Sequence, residues 1–256
     1  MPQFAFGAGV LWGTPITDST GASIVTPNPV QFGTVQEISI DVSFEVKELY
    51  GQNQFAVAVG RGKGKITGKA KAAQMNGGLI NSLFYGQTLT TGIIADVYDT
   101  TGAVIPATPF SITPTVPSSG TWAVDLGVSD SNGVPLTKVA AAGTPTTGQY
   151  KVAAGVYTFA AADTGKTVFI DYQYTATSTT APKSNVQNVL MGYAPTFRID
   201  LSMPYNGKSL IMTLPNCVST KLAFATKLDD FMIPEFDFNA FADGSGNVLT
   251  YALSDM

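Results

Sequence analysis

The chain has 256 residues, 45% of them hydrophobic and only 12% charged, with 26 glycines, 15 prolines, one cysteine and no histidine. Hydrophobicity near the globular average excludes a disordered chain. The net charge of −4 disfavours tight coating of nucleic acid, which needs many phosphate contacts from Lys and Arg. Lack of histidine removes the commonest general base, nucleophile partner and metal ligand together. A single cysteine, Cys217, rules out an internal disulfide and reads as core packing.

A free surface normally carries many charges, whereas interface cores are depleted of them. Two readings of the charge-poor composition follow: faces covered by neighbouring subunits, or a Thr- and Ser-rich β protein kept soluble by hydroxyls. A mildly acidic wall that lets nucleic acid slide past without holding it also stays compatible with the charge. The opening Met-Pro-Gln-Phe has no basic stretch and no long apolar run, which predicts a protein made and used in its host's cytoplasm. No segment approaches a membrane span.

Met1 to Pro29 reads as an extended arm. Its Phe4, Phe6, Leu11 and Trp12 need either the chain's own core or a neighbouring subunit. Ile38, Ile40, Val42, Phe44 and Val46 alternate with polar residues, so a strand with one buried face follows. Leu49-Tyr50-Gly51-Gln52 then turns the chain. Phe55 to Ala73 is a second long strand with Lys63, Lys65, Thr67, Lys69 and Lys71 on one face. Gly64, Ile66, Gly68 and Ala70 occupy the other face, which predicts close approach of a helix or a second sheet. Asn76 to Gly86 fits a short helix with a glycine cap and a stripe of Leu79, Ile80, Leu83 and Phe84.

From Thr88 to Pro182 short strands alternate with turns, including the strand Val168, Ile170, Tyr172, Tyr174 and the linker-like Thr175–Pro182. This stretch is either an inserted β domain or a set of excursions from one sheet. Long strands resume with Phe197, Ile199, Leu201 and Met203, an Asn206-Gly207 hairpin turn, then Leu210, Met212 and Leu214. Leu222 to Leu228 fits helix or strand. Phe236 and Phe238 open a last strand, and Val248–Leu253 returns after the Asp243-Gly244-Ser245-Gly246 turn. The expected fold class is all-β, a sandwich or partial barrel with one or two short helices. Residues 1–87 and 183–256 form the parent domain, and 88–182 an inserted β-rich region.

Chemistry is sparse. Gly60 to Lys65 superficially resembles a phosphate loop but lies inside a strand. Ala160 to Thr167 ends like a nucleotide-binding loop, yet Ala160 replaces its first glycine and a strand follows instead of a helix. Asp229-Asp230, Glu235-x-Asp237 and the Asp243 turn are thin as Ca²⁺ ligand sets, and read first as solvated turns. The lysine row admits three readings: a solvated face that blunts a sheet edge, a partner for acidic residues of a neighbouring subunit, or a phosphate contact.

Three stretches carry a resemblance. They are Lys47-Glu48-Leu49-Tyr50-Gly51-Gln52 through Phe55 into the Gly- and Lys-rich Arg61–Lys71; Gly148 to Phe159 with Val168 to Tyr174; and Ile233-Pro234-Glu235-Phe236-Asp237-Phe238 through Asp243. Together they resemble the major tail tube proteins of long-tailed bacteriophages. The resemblance implies a β-sandwich or partial barrel flanked by a helix, with six copies closing a ring around a lumen. Rings then stack into a tube through which DNA passes without sequence-specific binding. It implies assembly in the host cytoplasm, residence in the virion tail, no cofactor and no catalytic residue. The implied partners are further copies, the tail terminator, the tape measure and the distal tail protein. Phe4, Phe6, Trp12, Leu49, Tyr50, Gln52, Phe55, Lys63, Lys65, Lys69 and Lys71 become the expected subunit and ring–ring contacts, and 88–182 an outward, immunoglobulin-like domain. A capsid decoration or other head protein, a pilus-like adhesin and a carbohydrate-active enzyme are the alternatives.

Overall fold

The structure is a computed structural model, and it describes residues 7–74 and 76–255. The expected contacts of Phe4 and Phe6 therefore lie outside the described residues. In chain order the strands begin with β1 (Val10–Pro15), β2 (Val30–Gln31), β3 (Val35–Tyr50) and β4 (Ala56–Ala72). A helical segment follows, α1 (Gly77–Ile80) running into one turn of π-helix at Asn81–Tyr85. The chain continues through β5 (Thr90–Thr91), β6 (Ile93–Val97), β7 (Ala103–Val104), β8 (Ser111–Ile112), β9 (Thr121–Asp130), β10 (Thr137–Lys138), β11 (Gln149–Ala153), β12 (Val156–Phe159) and β13 (Thr167–Ala176). It ends with β14 (Pro182–Lys183), β15 (Thr196–Tyr205), β16 (Lys208–Ala223), β17 (Glu235–Phe241) and β18 (Thr250–Asp255). The protein is thus mostly β, with several sheets and one short helical segment, and among the described residues no sheet closes into a barrel.

The chain divides into two compact units, residues 1–89 with 184–256, and residues 90–183. The first is built on an eight-stranded sheet ordered β2-β1-β15-β16-β17-β4-β3, with β18 also paired to β16. Strand β16 is long enough to pair with β18 through Lys208–Thr213 and with β17 through Asn216–Ala223. The helical segment covers one face of this sheet. Asn76 caps it by accepting from the amides of Gly78 and Leu79, and Gly86 ends it in the left-handed conformation, the combination that satisfies otherwise orphaned helix-end groups. Leu79 and Leu83 drop from it into a core with Leu11, Phe32, Phe197, Ile199, Leu214, Cys217, Phe236 and Phe238. Phe236 is the hub of the aromatic packing, with ring centroids 5.6 Å from Phe32 and 5.7 Å from Phe197.

Three expectations change here. The extended arm, expected to hold little regular structure, contains a full strand: Val10 to Pro15 is β1, paired along its length with β15, and Leu11 is fully buried. Period-two burial of Leu11, Gly13 and Pro15 was hidden by the surrounding glycines and prolines. The chain does not turn at Leu49, because β3 runs on to Tyr50 and the loop spans 51–55. Neither a helix nor a second sheet fills the space over Gly68. Phe238, its cross-strand neighbour on β17, lays its ring there. The helical segment approaches the small residue Gly13 instead, where a Cβ would meet Leu83 at 2.3 Å.

In the second unit, one four-stranded sheet is ordered β10-β11-β12-β8. The other has β13 at its centre, paired with β6, β7 and β9. Buried residues of both sheets join one core, Tyr150, Val152, Tyr157 and Phe159 from the first and Val168, Ile170, Tyr172 and Tyr174 from the second. Its polar contents are paired. Asp125 accepts from Tyr150 Oη and Lys138 Nζ, each at 2.8 Å. The buried Asp163 accepts from the Gly148 amide and Lys166 Nζ.

Candidate assembly surface

Strands β3 and β4 form a hairpin much longer than the core beneath it. Near its base Ile38 and Ile40 pack against the core of the first unit. From Asp41 to Tyr50, and from Val57 to Lys65, every residue is exposed. A ribbon of this length extends about 30 Å at strand rise. Among the described residues its backbone is held by its own ladder alone, since β17 pairs with β4 only from Ile66 to Lys71 and β3 is the end strand of the sheet.

The apolar alternation that builds the core does not stop where the core stops. Val42, Phe44 and Val46 continue the row of Ile38 and Ile40 but are 48%, 47% and 57% exposed. The pairing passes from Phe44↔Gly64 to Val46↔Arg61, so β4 carries one extra residue there. Such a bulge reverses which β4 side chains share a face with their β3 neighbours. Arg61 consequently joins the apolar face, its guanidinium carbon 4.6 Å from the Phe44 ring centroid, a favourable cation–π distance. Beyond it Val59 lies opposite Glu48 and is also exposed. At the root of the ribbon an apolar cleft of about 460 Å³ is lined by Val42, Phe44, Ile66, Phe241 and Val248.

The expected contact residues fall on this ribbon or beside it. Leu49 and Tyr50 end β3, both exposed, with the Tyr50 hydroxyl donating to Glu48. Gln52 is exposed in the tip loop, and Phe55 beside it is 84% exposed. Trp12 sits on β1 between Asp200 and Gln31 and is partly exposed, while its neighbour Leu11 belongs to the core.

The lysine row divides. Lys69 pairs with Glu235 at 2.9 Å and Lys71 with Glu37, both partners within the chain. Lys221 of β16 reaches the same Glu235 oxygen at 2.7 Å. Hydrogen bonds from Lys221 and then Lys69 pull the Glu235 carboxyl down to about 2. Lys63 and Lys65 lie on the projecting ribbon and make no ion pair among the described residues. For Lys69 and Lys71 the acidic partner is therefore supplied by strands of the same sheet.

The remaining chemical candidates resolve into local structure. Gly60 to Lys65 is strand throughout. In the Ala160–Thr167 stretch a 3-10 turn precedes β13, and Lys166 is tied to Asp163 at 2.7 Å. Asp243 accepts from the amides of Ser245 and Asn247, closing its own turn. Among the described residues no three His, Cys, Asp or Glu side chains cluster as a metal site would need. No helix among them is long and apolar enough to cross a membrane.

Two exposed apolar loops of the first unit escaped the sequence reading. Leu190 and Met191 stand out from the segment after β14, and Leu228 and Phe231 from the connection between β16 and β17, all at least three-quarters exposed. Leu222 ends in strand β16, and the chain beyond Ala223 leaves regular structure. The available signal was large apolar side chains in turn-rich segments with no period-two partners. The sequence matches no protein-family model and no curated protein.

Proposed function

We propose that this chain is a structural, non-catalytic protein that works by assembling with copies of itself, and that the assembly is the tail tube of a long-tailed bacteriophage. One observation carries the self-assembly reading: a two-stranded ribbon, exposed on both faces, keeps a continuous apolar row from Val42 through Val46 on one of them. Exposed contiguous apolar surface on a folded chain marks an interaction site. The ribbon adjoins a long outer edge of β3 that is unpaired among the described residues, and such edges are normally paired, covered or blunted.

The tube assignment rests on the resemblance of three stretches, residues 47–71, 148–174 and 233–243, to tail tube proteins. In this reading six copies close a ring, the eight-stranded sheet is one segment of a shared barrel, and the second unit is an outward β-sandwich of immunoglobulin-like kind. Stacking repeats a head-to-tail contact, which builds a filament instead of a closed pair. DNA crosses the lumen during ejection. The tail terminator, tape measure and distal tail protein meet the tube at its ends and interior.

Negative-stain electron microscopy of the concentrated protein tests both levels. Hollow tubes or six-fold rings about 100 Å wide, the scale of six domains of this size, are expected. Charge placed on the apolar row, as in Val46→Asp with Val59→Asp, should leave folded protein that no longer stacks. Trimers or monomers at every concentration would overturn the tube and favour a capsid decoration protein.

A further inference from the structure

The face of the sheet opposite the core carries a ladder of alternating charge. In register across β3, β4, β17 and β16 it reads Glu37, Lys71, Glu235, and one step along Ser39, Lys69, Asp237, Lys221. The next row brings Asp41, Thr67 and Asn239. Lys69, Lys71 and Lys221 are each held by Glu37 or Glu235. Asp237 sits between Lys69 and Lys221 in the ladder, and its Oδ1 is buried with no hydrogen-bond partner among the described residues. Asp41 and Asp237 also line a cleft of about 440 Å³ with Lys65 and Lys69.

Three lysines within reach of one another on a sheet would ordinarily offer a polyanion several phosphate contacts at once. We infer that Glu37 and Glu235, with Asp237 in reserve, are internal counter-ions that keep this lysine-bearing face from holding a polyanion. The ligand class being refused is a polyphosphate or polysulfate chain, such as duplex DNA or heparin. A lysine bound to a carboxylate at 2.7–2.9 Å must give up a charge-assisted bond before it meets a phosphate. The carboxylates beside it repel the incoming chain. Were Glu235 removed, Asp237 would still stand next to both released lysines. The inference concerns a single chain and holds whether or not the tube reading does.

The test is binding of a short DNA duplex, and separately of heparin, at low salt by fluorescence anisotropy. Wild-type protein should bind weakly. The triple variant Glu37→Gln, Glu235→Gln, Asp237→Asn should bind about tenfold tighter or more, with a log–log salt dependence steeper by about two to three. Adding Lys69→Ala, Lys71→Ala and Lys221→Ala to that variant should abolish the gain. Asp18→Asn with Asp130→Asn and Asp243→Asn, the same charge change on turns outside the ladder, should not reproduce it. The inference fails if the triple variant gains nothing, if the gain survives loss of the lysines, or if the turn variant matches it. It fails equally if the wild type already binds as tightly. A second measurement uses the unaltered chain: in mild acetylation followed by peptide mass spectrometry, Lys63 and Lys65 should react before Lys69, Lys71 and Lys221. Equal rates would sink the masking idea even where the triple variant does not fold.

Discussion

Gly68 and Phe238 face each other in register on β4 and β17, and the ring occupies the place where a side chain at 68 would begin. A Cβ there would lie 2.1 Å from the ring. An aromatic residue folded over a cross-strand glycine covers backbone that would otherwise be bare. It also ties the core of the first unit to the strand that continues as the ribbon. Gly68→Ala should therefore destabilise by about 2 kcal/mol through overpacking, and Phe238→Ala by about 4 kcal/mol through the cavity it leaves. Urea unfolding of the two single variants and the double would check this. The double should cost less than the sum, because the alanine at 68 finds room once the ring is gone. Near-perfect additivity would mean the two residues do not share the space. The small residues of β4 were legible in the sequence as a face awaiting close company. That the company is a ring 170 positions further along was not, because nothing local records the pairing.

Among the elements, the turns and the charge ladder are governed by carboxylates. Asp18, Asp130 and Asp243 each accept from the amides two and four residues ahead. In each case the third residue on is a glycine with φ between +76° and +84°. The same device therefore closes three unrelated turns. Hydrogen bonds hold all three carboxyls below the ordinary aspartate range, led by the Thr20 side chain for Asp18, the Val134 amide for Asp130 and the Asn247 amide for Asp243. Glu235 is lower still relative to its usual 4.5, at about 2. A depressed folded-state value means stability that is fully present above the unfolded value and is lost as pH falls through the folded one. The urea midpoint should hold steady down to pH 4.5 and then fall toward pH 2, the window Glu235 sets. Glu235→Gln should flatten part of that fall, and an unchanged acid profile would show that the two lysines do not stabilise the folded carboxylate. Strand positions were readable from period-two alternation because the pleat imposes that period. Whether an apolar row is covered was not, since Ile40 and Phe44 follow the same pattern on either side of the core's end. The lysine row was equally visible as a row. Its partners on β3 and β17 were not, because sheet order places them and no sequence spacing encodes it.

The whole molecule separates into two units, each with a hydrophobic core of its own. The second unit's chain enters through Thr90–Thr91 and leaves through Pro182–Lys183, and these two stretches pair antiparallel. Entry and exit are therefore about 5 Å apart, the spacing of neighbouring strands. Removing 90–183 and joining Leu89 to Ser184 through a short Gly-Ser linker should leave a folded first unit with cooperative thermal unfolding. Circular dichroism and a melting curve would decide it, and a molten or insoluble product would mean that the first core depends on the second unit. The change of texture around Thr88 and Pro182 was readable because turn residues crowd there. The ribbon's projection beyond the core was not, because it depends on where β17 stops. That ribbon also constrains how the gene can vary. Its two faces differ in kind, with Val42, Phe44 and Val46 on one and Ser43 and Lys65 on the other, and side chains alternate along β3 while β4 absorbs its extra residue in the bulge. One codon gained or lost between Val46 and Tyr50, with no further bulge to absorb it, would exchange the faces of everything beyond it, whereas paired gains of two codons in β3 and β4 would only lengthen it. Natural variants of this hairpin should therefore differ in length by even numbers of residues per strand.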